Sequence, residues 1–422
     1  MKIRRIRWLI LLTVCAWTAA AHARTVCDAR AYGATGNGRT KDTVAIQAAI
    51  DACARRGGGV VRLTPGTYLS APIVLKSGIT LDLEEGATLL GSTEHSDYPE
   101  ITEFRAPGRQ ALVSATQADH VAIVGRGVID GAGESWWRMA RAFKGAGILG
   151  TKHTRPRLVV FDHCRHVLVE GVTLSNSPMW QLVPYYSDDV TIRNVKVLAP
   201  AHSPNTDAID PFSSSHVRIE HVMADVGDDD VAIKSGAIGS PGPDAPSRDI
   251  AITDSTFRHG HGLSIGSEIA GGAERIRAER VTFEGTENGI RVKANRDRGH
   301  EVSDVVFRNI TMKGVKRPLI LSEYYPKMLP EGAVAAAPVT RLTPHFRDIT
   351  IEGLTATGAE NAGVIVGLPE APIRGLVLRD VRIAAQTGLT VGYVAVRLDH
   401  VRLNVKDGPP IRKMAGAEIE TH

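Results

Sequence analysis

The chain has 422 residues, 43% hydrophobic, 23% charged and 5% aromatic, with 42 glycines, a globular composition that excludes a disordered chain, a collagen and a polytopic membrane protein. Its formal charge of +4 owes everything to Lys2, Arg4, Arg5 and Arg7, since no acid lies in the first 23 residues. Without them the balance is near zero, so global charge does not support nucleic-acid binding and any anionic ligand must be held by a local basic cluster.

The cationic start leads into an apolar run from Trp8 to Ala20, too short to span a bilayer, and then into Ala21-His22-Ala23, a small-x-small cleavage pattern. Residues 1–23 therefore read as a secretory signal peptide, with an uncleaved membrane anchor as the alternative, leaving 24–422 as one secreted or periplasmic domain with no membrane contact after cleavage. Cys15 leaves with the signal. Cys27 and Cys53 flank the first predicted helix and could pair in an oxidising compartment or remain thiols, whereas Cys164 sits in an apolar strand as a small core residue. That helix is predicted to be capped by Asp42, to bury Ile46, Ala49, Ile50 and Cys53, and to end at Gly57-Gly58-Gly59. It reads as a lid over the end of a solenoid.

From His166 one short phrase recurs: HVLVEGVTL, then phrases opening at Asp189, His216, Asp249, Arg275, Asp304, Asp348 and Gly375, with starts 23, 27, 33, 26, 29, 44 and 27 residues apart. Each alternates apolar and polar, breaks at a polar pair such as Arg193-Asn194, and alternates again. Strand, tight turn, strand, with no room for a helix between units, predicts an all-β, single-stranded right-handed parallel β-helix. The two long intervals predict inserted loops at 237–247 and 322–345, and roughly 409–422 reads as a C-terminal tail.

Four successive coils carry polar residues that a solenoid does not need: Asn205-Thr206-Asp207, Gly227-Asp228-Asp229-Asp230, Gly260-His261-Gly262 and Arg291-Val292-Lys293. Setting Ile209, Val231, Leu263 and Ile290 in one column places Asp207, Asp229 and His261 each two positions earlier, about 4.8 Å apart per coil. Carboxylates so close push at least one pKa upward, giving the neutral and ionised acids that glycoside hydrolysis uses. A calcium site or a solvated acidic turn is the plain alternative, but Arg291 and Lys293 beside the acids suit an anionic ligand better than a cation. Strict alternation would turn the acids inward and the two cations outward, so a bend has to intervene.

The ordered set NTDAIDP (205–211), GDDDVAIKSG (227–236), GHG (260–262) and RVK (291–293) resembles the polygalacturonases of glycoside hydrolase family 28. YGATGNGRTKDT (32–43), LEEGATLLGS (83–92), IDGAGESWW (129–137) and NSPMWQLVP (176–184) extend the resemblance over most of the chain. It implies inverting hydrolysis of α-1,4-galacturonosidic bonds on a polyanionic pectic polysaccharide or its oligomers; no cofactor or metal is expected, and a capped solenoid, having no need of a partner, is expected to be a monomer. Asp228 would be the general acid, Asp207 and Asp229 would hold and deprotonate the water, and His261 would act beside the acid. Asn205, Arg291, Lys293 and a tyrosine matched as Tyr325 would bind substrate. The chain departs from the pattern at Ala208, where glycine is usual, and at Asp230, which could shift its neighbours or face solvent.

Trp136, Trp137 and Trp180 read as loop-packing residues, with stacking on sugar rings as the alternative, and Lys234 as a supporting cation. GSEIAGG (266–272) and the loop bearing Tyr324-Tyr325 resemble the exo-acting branch, so exo cleavage is expected, with endo cleavage or another pectic galacturonan as the alternative. A calcium-dependent β-helix lyase and a non-catalytic polysaccharide-binding β-helix are the competing readings.

Overall fold

A computed structural model describes residues 25–146, 154–330, 332 and 334–422; the expected signal peptide lies outside the described residues. The repeats wind into a right-handed parallel β-helix with three parallel sheets running along its axis. Every phrase found in the sequence opens on a residue in the left-handed region, from His166 (φ 52°), Asp189 (53°) and His216 (52°) to Asp348 (53°) and Gly375 (62°). The polar break within each phrase does the same, at Gly171 (φ 79°), Asn194 (55°), Asp254 (52°) and Asn309 (55°). Asn, Asp, His and Gly tolerate that conformation best, which is why they recur at the corners of the coil.

Between corners the alternation stacks like on like. Val167, Val190, Val217, Ile250 and Ile276 are in register through the first sheet. Leu174, Val197, Ala224, Phe257 and Phe283 follow through the second, the two rings edge to face at 5.4 Å. In the third, Leu182, Ile209, Val231, Leu263, Ile290 and Leu319 form one buried ladder. Each fully buried aliphatic side chain contributes about 1.5–3 kcal/mol, so the column is stabilised along its whole length without a wide core.

The helix α1 (Thr43–Arg55) closes the first coils, burying Ile46, Ala49, Ile50 and Cys53, and a disulfide joins Cys27 to Cys53. Asp42 stands at its N-terminus but does not cap it. The carboxylate instead accepts hydrogen bonds from the backbone N–H groups of Thr35 (2.7 Å) and Gly36 (2.9 Å), tying down the preceding loop. Cys164 is buried and unbridged.

Two insertions come where expected, between the strands Val231–Ser235 and Ser247–Thr253 and between Arg317–Ser322 and His345–Val366. Two others were not foreseen: a helix α2 (Glu134–Gly145), and an antiparallel hairpin of Glu100–Glu103 with Ala106–Arg109. The stretch 409–422 is not a tail. It completes the strands Arg402–Lys413 and Ala417–Thr421, which pair onto the last coil, because Ile411 and Ile419 still have apolar rows to cover. Pro409 and Pro410, lacking N–H donors, blunt that final edge against further strand addition.

Candidate active site

The third sheet carries the polar cluster. Ile209, Val231, Leu263 and Ile290 are paired in the column the sequence gives them, so Asp207, Asp229 and His261 lie on successive coils. The bend that alternation requires is present: the backbone turns at Ala208 and Asp230, and Gly262 has φ +87°. A Cβ on Gly262 would come within 2.2 Å of the Asn288 carbonyl oxygen, so glycine alone fits. The turn brings Asp229 to the side of the cations. Asp229 Oδ2 accepts from Lys293 Nζ at 2.7 Å, and Oδ1 from Arg291 Nη1 at 3.1 Å and Ser264 Oγ at 2.8 Å.

These contacts split the acids as close carboxylates demand. Burial acts to raise Asp229, but Lys293 and Arg291 outweigh it and hold that carboxyl below its usual range. Asp207 lacks so close a partner, with Lys234 Nζ standing 3.9 Å from its Oδ2. Burial, then the charges of Asp228 and Asp210, push it well above the usual range. Asp230 faces the interior, not solvent. Its Oδ2 accepts from the Gly262 N–H at 3.0 Å, its Oδ1 has no partner, and burial pushes its pKa well up.

Asp228 is more open. Its Oδ1 lies 3.0 Å from His261 Nδ1 and accepts from the Asp229 N–H at 2.9 Å, while Oδ2 faces Asn205 Nδ2 at 3.5 Å. Burial disfavours the charged form of His261, but the hydrogen bond and charge of Asp228, with Asp229, prevail and raise its pKa. Asp228, Asp229 and His261 offer donor atoms within 4.8 Å of one another. Lys293 and Arg291 already place positive charge on Asp229, which opposes a divalent cation there. The same figure brings the oxygens of Asp228 and Asp229 closer than the roughly 6.5–9.5 Å expected between the carboxyls of an inverting pair.

One cavity of about 570 Å³ has Asn205, Asp207, Asp228, Asp229, Lys293 and Tyr325 in its wall. The Tyr325 ring stands 5.3 Å from Lys293 Nζ and 5.8 Å from Arg291 Cζ, whereas Tyr324 packs into a separate apolar cluster with Ile320 and Val366. Trp136 and Trp137 pack α2 as expected, Trp137 Nε1 donating to the Ser177 carbonyl at 2.9 Å. Trp180 does not merely pack a loop. It lines the cavity, with Arg157 Cζ at 4.4 Å and Lys234 Nζ at 5.0 Å from its ring.

Sequence reasoning missed Arg155 and Arg157, which follow the undescribed segment 147–153 and belong to no repeat. Arg155, pushed down to about 10 by burial, donates from Nη2 to Asn205 Oδ1 at 2.7 Å and so directs the Asn205 amide towards Asp228. Arg157 is held between Phe104 and Trp180 and pairs with Glu103 of the hairpin. Only proximity in the fold reveals either.

The profile of the glycosyl hydrolases family 28 matches residues 63–397, and that of rhamnogalacturonase A/epimerase, pectate lyase-like proteins matches 26–94. A probable polygalacturonase of Vitis vinifera is 31% identical over 401 residues, 90% of this chain and 78% of its own. An endo-polygalacturonase of Pectobacterium carotovorum is 30% identical over 77% of this chain and 79% of its own. Among solved structures, a hyperthermoactive exopolygalacturonase from Thermotoga maritima superposes with a TM-score of 0.72 at 26% identity, covering 94% of this chain and 91% of its own.

Proposed function

The chain belongs to the glycosyl hydrolases family 28, and from that premise we propose that it hydrolyses the α-1,4 bonds of polygalacturonan by single displacement with inversion, removing residues from one chain end. Asp228 donates the proton to the leaving oxygen. Asp229, held ionised by Lys293 and Arg291, takes the proton of the attacking water, which Asp207 helps to position on the opposite face of the sugar. His261 and Asn205 hold the two oxygens of Asp228, and Arg291 and Lys293 receive the carboxylate of the leaving-side sugar, the first as a planar fork and the second as a point charge. The observation that carries the reading is a general-acid candidate hydrogen-bonded to a histidine, beside a second carboxylate clamped by two cations, with both carboxylates in the wall of one cavity.

Exo action is supported by the insertions. The hairpin, through Ala106, Pro107 and Gly108, the 236–246 loop, through Ile238, and the 323–344 loop, through Tyr325, all contribute to the cavity wall. A groove walled by three insertions suits a chain end better than a chain interior. The Cys27–Cys53 disulfide accords with an oxidising compartment, and hence with export by a signal in residues 1–23. The capped solenoid acts as a monomer.

The test is product analysis on polygalacturonic acid with chelator present, alongside Asp228→Asn, with the anomeric configuration of the first product followed by NMR. Saturated monomer or dimer from the start, of inverted configuration and lost in Asp228→Asn, is the expected result. Unsaturated products would mean a lyase; retained configuration would give the close Asp228–Asp229 pair a double-displacement role.

A further inference from the structure

The left-handed corner column of the first sheet carries two histidines one coil apart, His120 (φ 53°) and His166 (φ 52°). Asp119 bridges the edges of their stacked rings. Its Oδ1 is 2.6 Å from His166 Nδ1 and 3.1 Å from His120 Nδ1, and the two imidazoles stack with centroids 4.4 Å apart. One donor atom from each of the three residues lies within 4.8 Å of the others, and all three are exposed. This face is built by the first sheet, whereas the catalytic cluster stands on the third.

We propose that Asp119, His120 and His166 form a surface site for one borderline transition-metal dication of the zinc, nickel or copper class. Two imidazole nitrogens and one carboxylate oxygen match the donor preference of these ions, whereas calcium prefers oxygen donors throughout. Lone pairs that now share hydrogen bonds would turn onto the metal, with water completing the shell. The corner conformation holds both imidazoles over Asp119 before any ion arrives, so little ordering remains for binding. Behind the site, Asp189 Oδ2 of the next coil stands 4.0 Å from His166 Nε2. A carboxylate on the far side of a ligating imidazole fixes the ring and raises its basicity. An ion bridging two coils binds the folded chain alone and stabilises it by mass action.

The probe is zinc chloride, titrated by calorimetry into the chain without a histidine tag, with cobalt absorption as a second readout. Because asparagine accepts the left-handed corner, His120→Asn and His166→Asn are suitable variants. One zinc per chain is expected, with a rise in Tm, both lost in either variant while hydrolytic activity stays unchanged. Asp189→Asn should weaken binding about tenfold. The proposal is overturned if the wild-type chain takes up no zinc, or if uptake persists in both histidine variants. Persistent uptake with inhibition would place the ion on Asp228, Asp229 and His261 instead.

Discussion

Lys293 and Asp229, two coils apart and both nearly sealed from solvent, meet at 2.7 Å, so the proposed base is neutralised by the cation proposed to receive the sugar carboxylate. On the proposed function, a sugar carboxylate beside Lys293 would compete for that ammonium and free part of Asp229. Lys293→Met should raise KM for polygalacturonate about 10–100-fold, the range of one charged hydrogen bond, and should lower kcat as well, because Asp229 then keeps only Arg291 and Ser264. Steady-state kinetics on free and methyl-esterified polymer separate the two effects. The KM penalty should shrink on the esterified chain, and an equal penalty on both would remove Lys293 from carboxylate recognition.

His261 supplies the pH signature of the site. Its folded pKa is raised above 6.5 by Asp228 and Asp229 against the effect of burial. The imidazolium is therefore present through mildly acidic pH and is lost as pH climbs through the raised value. The kcat/KM profile should fall on its alkaline side above pH 6.5, and His261→Gln should abolish that limb while lowering the plateau. An unchanged alkaline limb in His261→Gln would assign it to another group.

Asp230 makes a prediction about stability. Its pKa is pushed well up by burial, so the folded chain keeps a proton that the unfolded chain releases above about pH 4. Its contribution is fully present below pH 4 and declines as pH rises towards the folded value. Asp230→Asn keeps an oxygen for the Gly262 N–H without the titration. Relative to wild type, the variant should gain in Tm as pH rises from 4 to 8. Parallel Tm–pH curves would mean that Asp230 is not the group responsible.

Much of this was legible because a solenoid repeats its rules. The column of Ile209, Val231, Leu263 and Ile290 followed from period-two alternation alone, and it placed Asp207, Asp229 and His261 on successive coils. Parity alone requires the bend between acid and apolar residue. What stayed hidden lies off the repeat. Arg155 and Arg157 precede an ordinary strand, and the hairpin at 100–109 has no internal period, so nothing local tells that Glu103 will meet Arg157 or that Trp180 will face the cavity. Asp42 shows the same limit at short range: its position is that of a cap, but two nearer N–H groups compete for its carboxylate and win. The stretch 409–422 reads as a tail because its prolines and charges mask the few apolar residues, Ile411 and Ile419, that pair it onto the preceding strands.

Asp244 ties together the three insertions that wall the cavity, and product size should depend on it. Its side chain is 2% exposed and sits on the 236–246 loop, where Oδ2 accepts from Ser240 Oγ at 2.5 Å. Oδ1 accepts from Arg105 Nη1 of the hairpin at 3.0 Å, and Oδ2 lies 3.8 Å from Arg341 Nη1 of the 323–344 loop. Arg341 in turn donates to the carbonyls of Ser240 and Ala270. Asp244→Asn keeps the shape and removes the charge that both arginines face, so the hairpin and the two loops lose their common anchor while the floor of the site is untouched. Monomer or dimer release by the wild-type chain should change to a ladder of longer oligomers, with kcat on the shortest substrates reduced less than threefold. An unchanged product profile in Asp244→Asn, beside exo products from wild type, would show that the wall stands without this charge. A ladder from the wild-type chain itself would reject exo action altogether, so the two failures are told apart by one chromatogram.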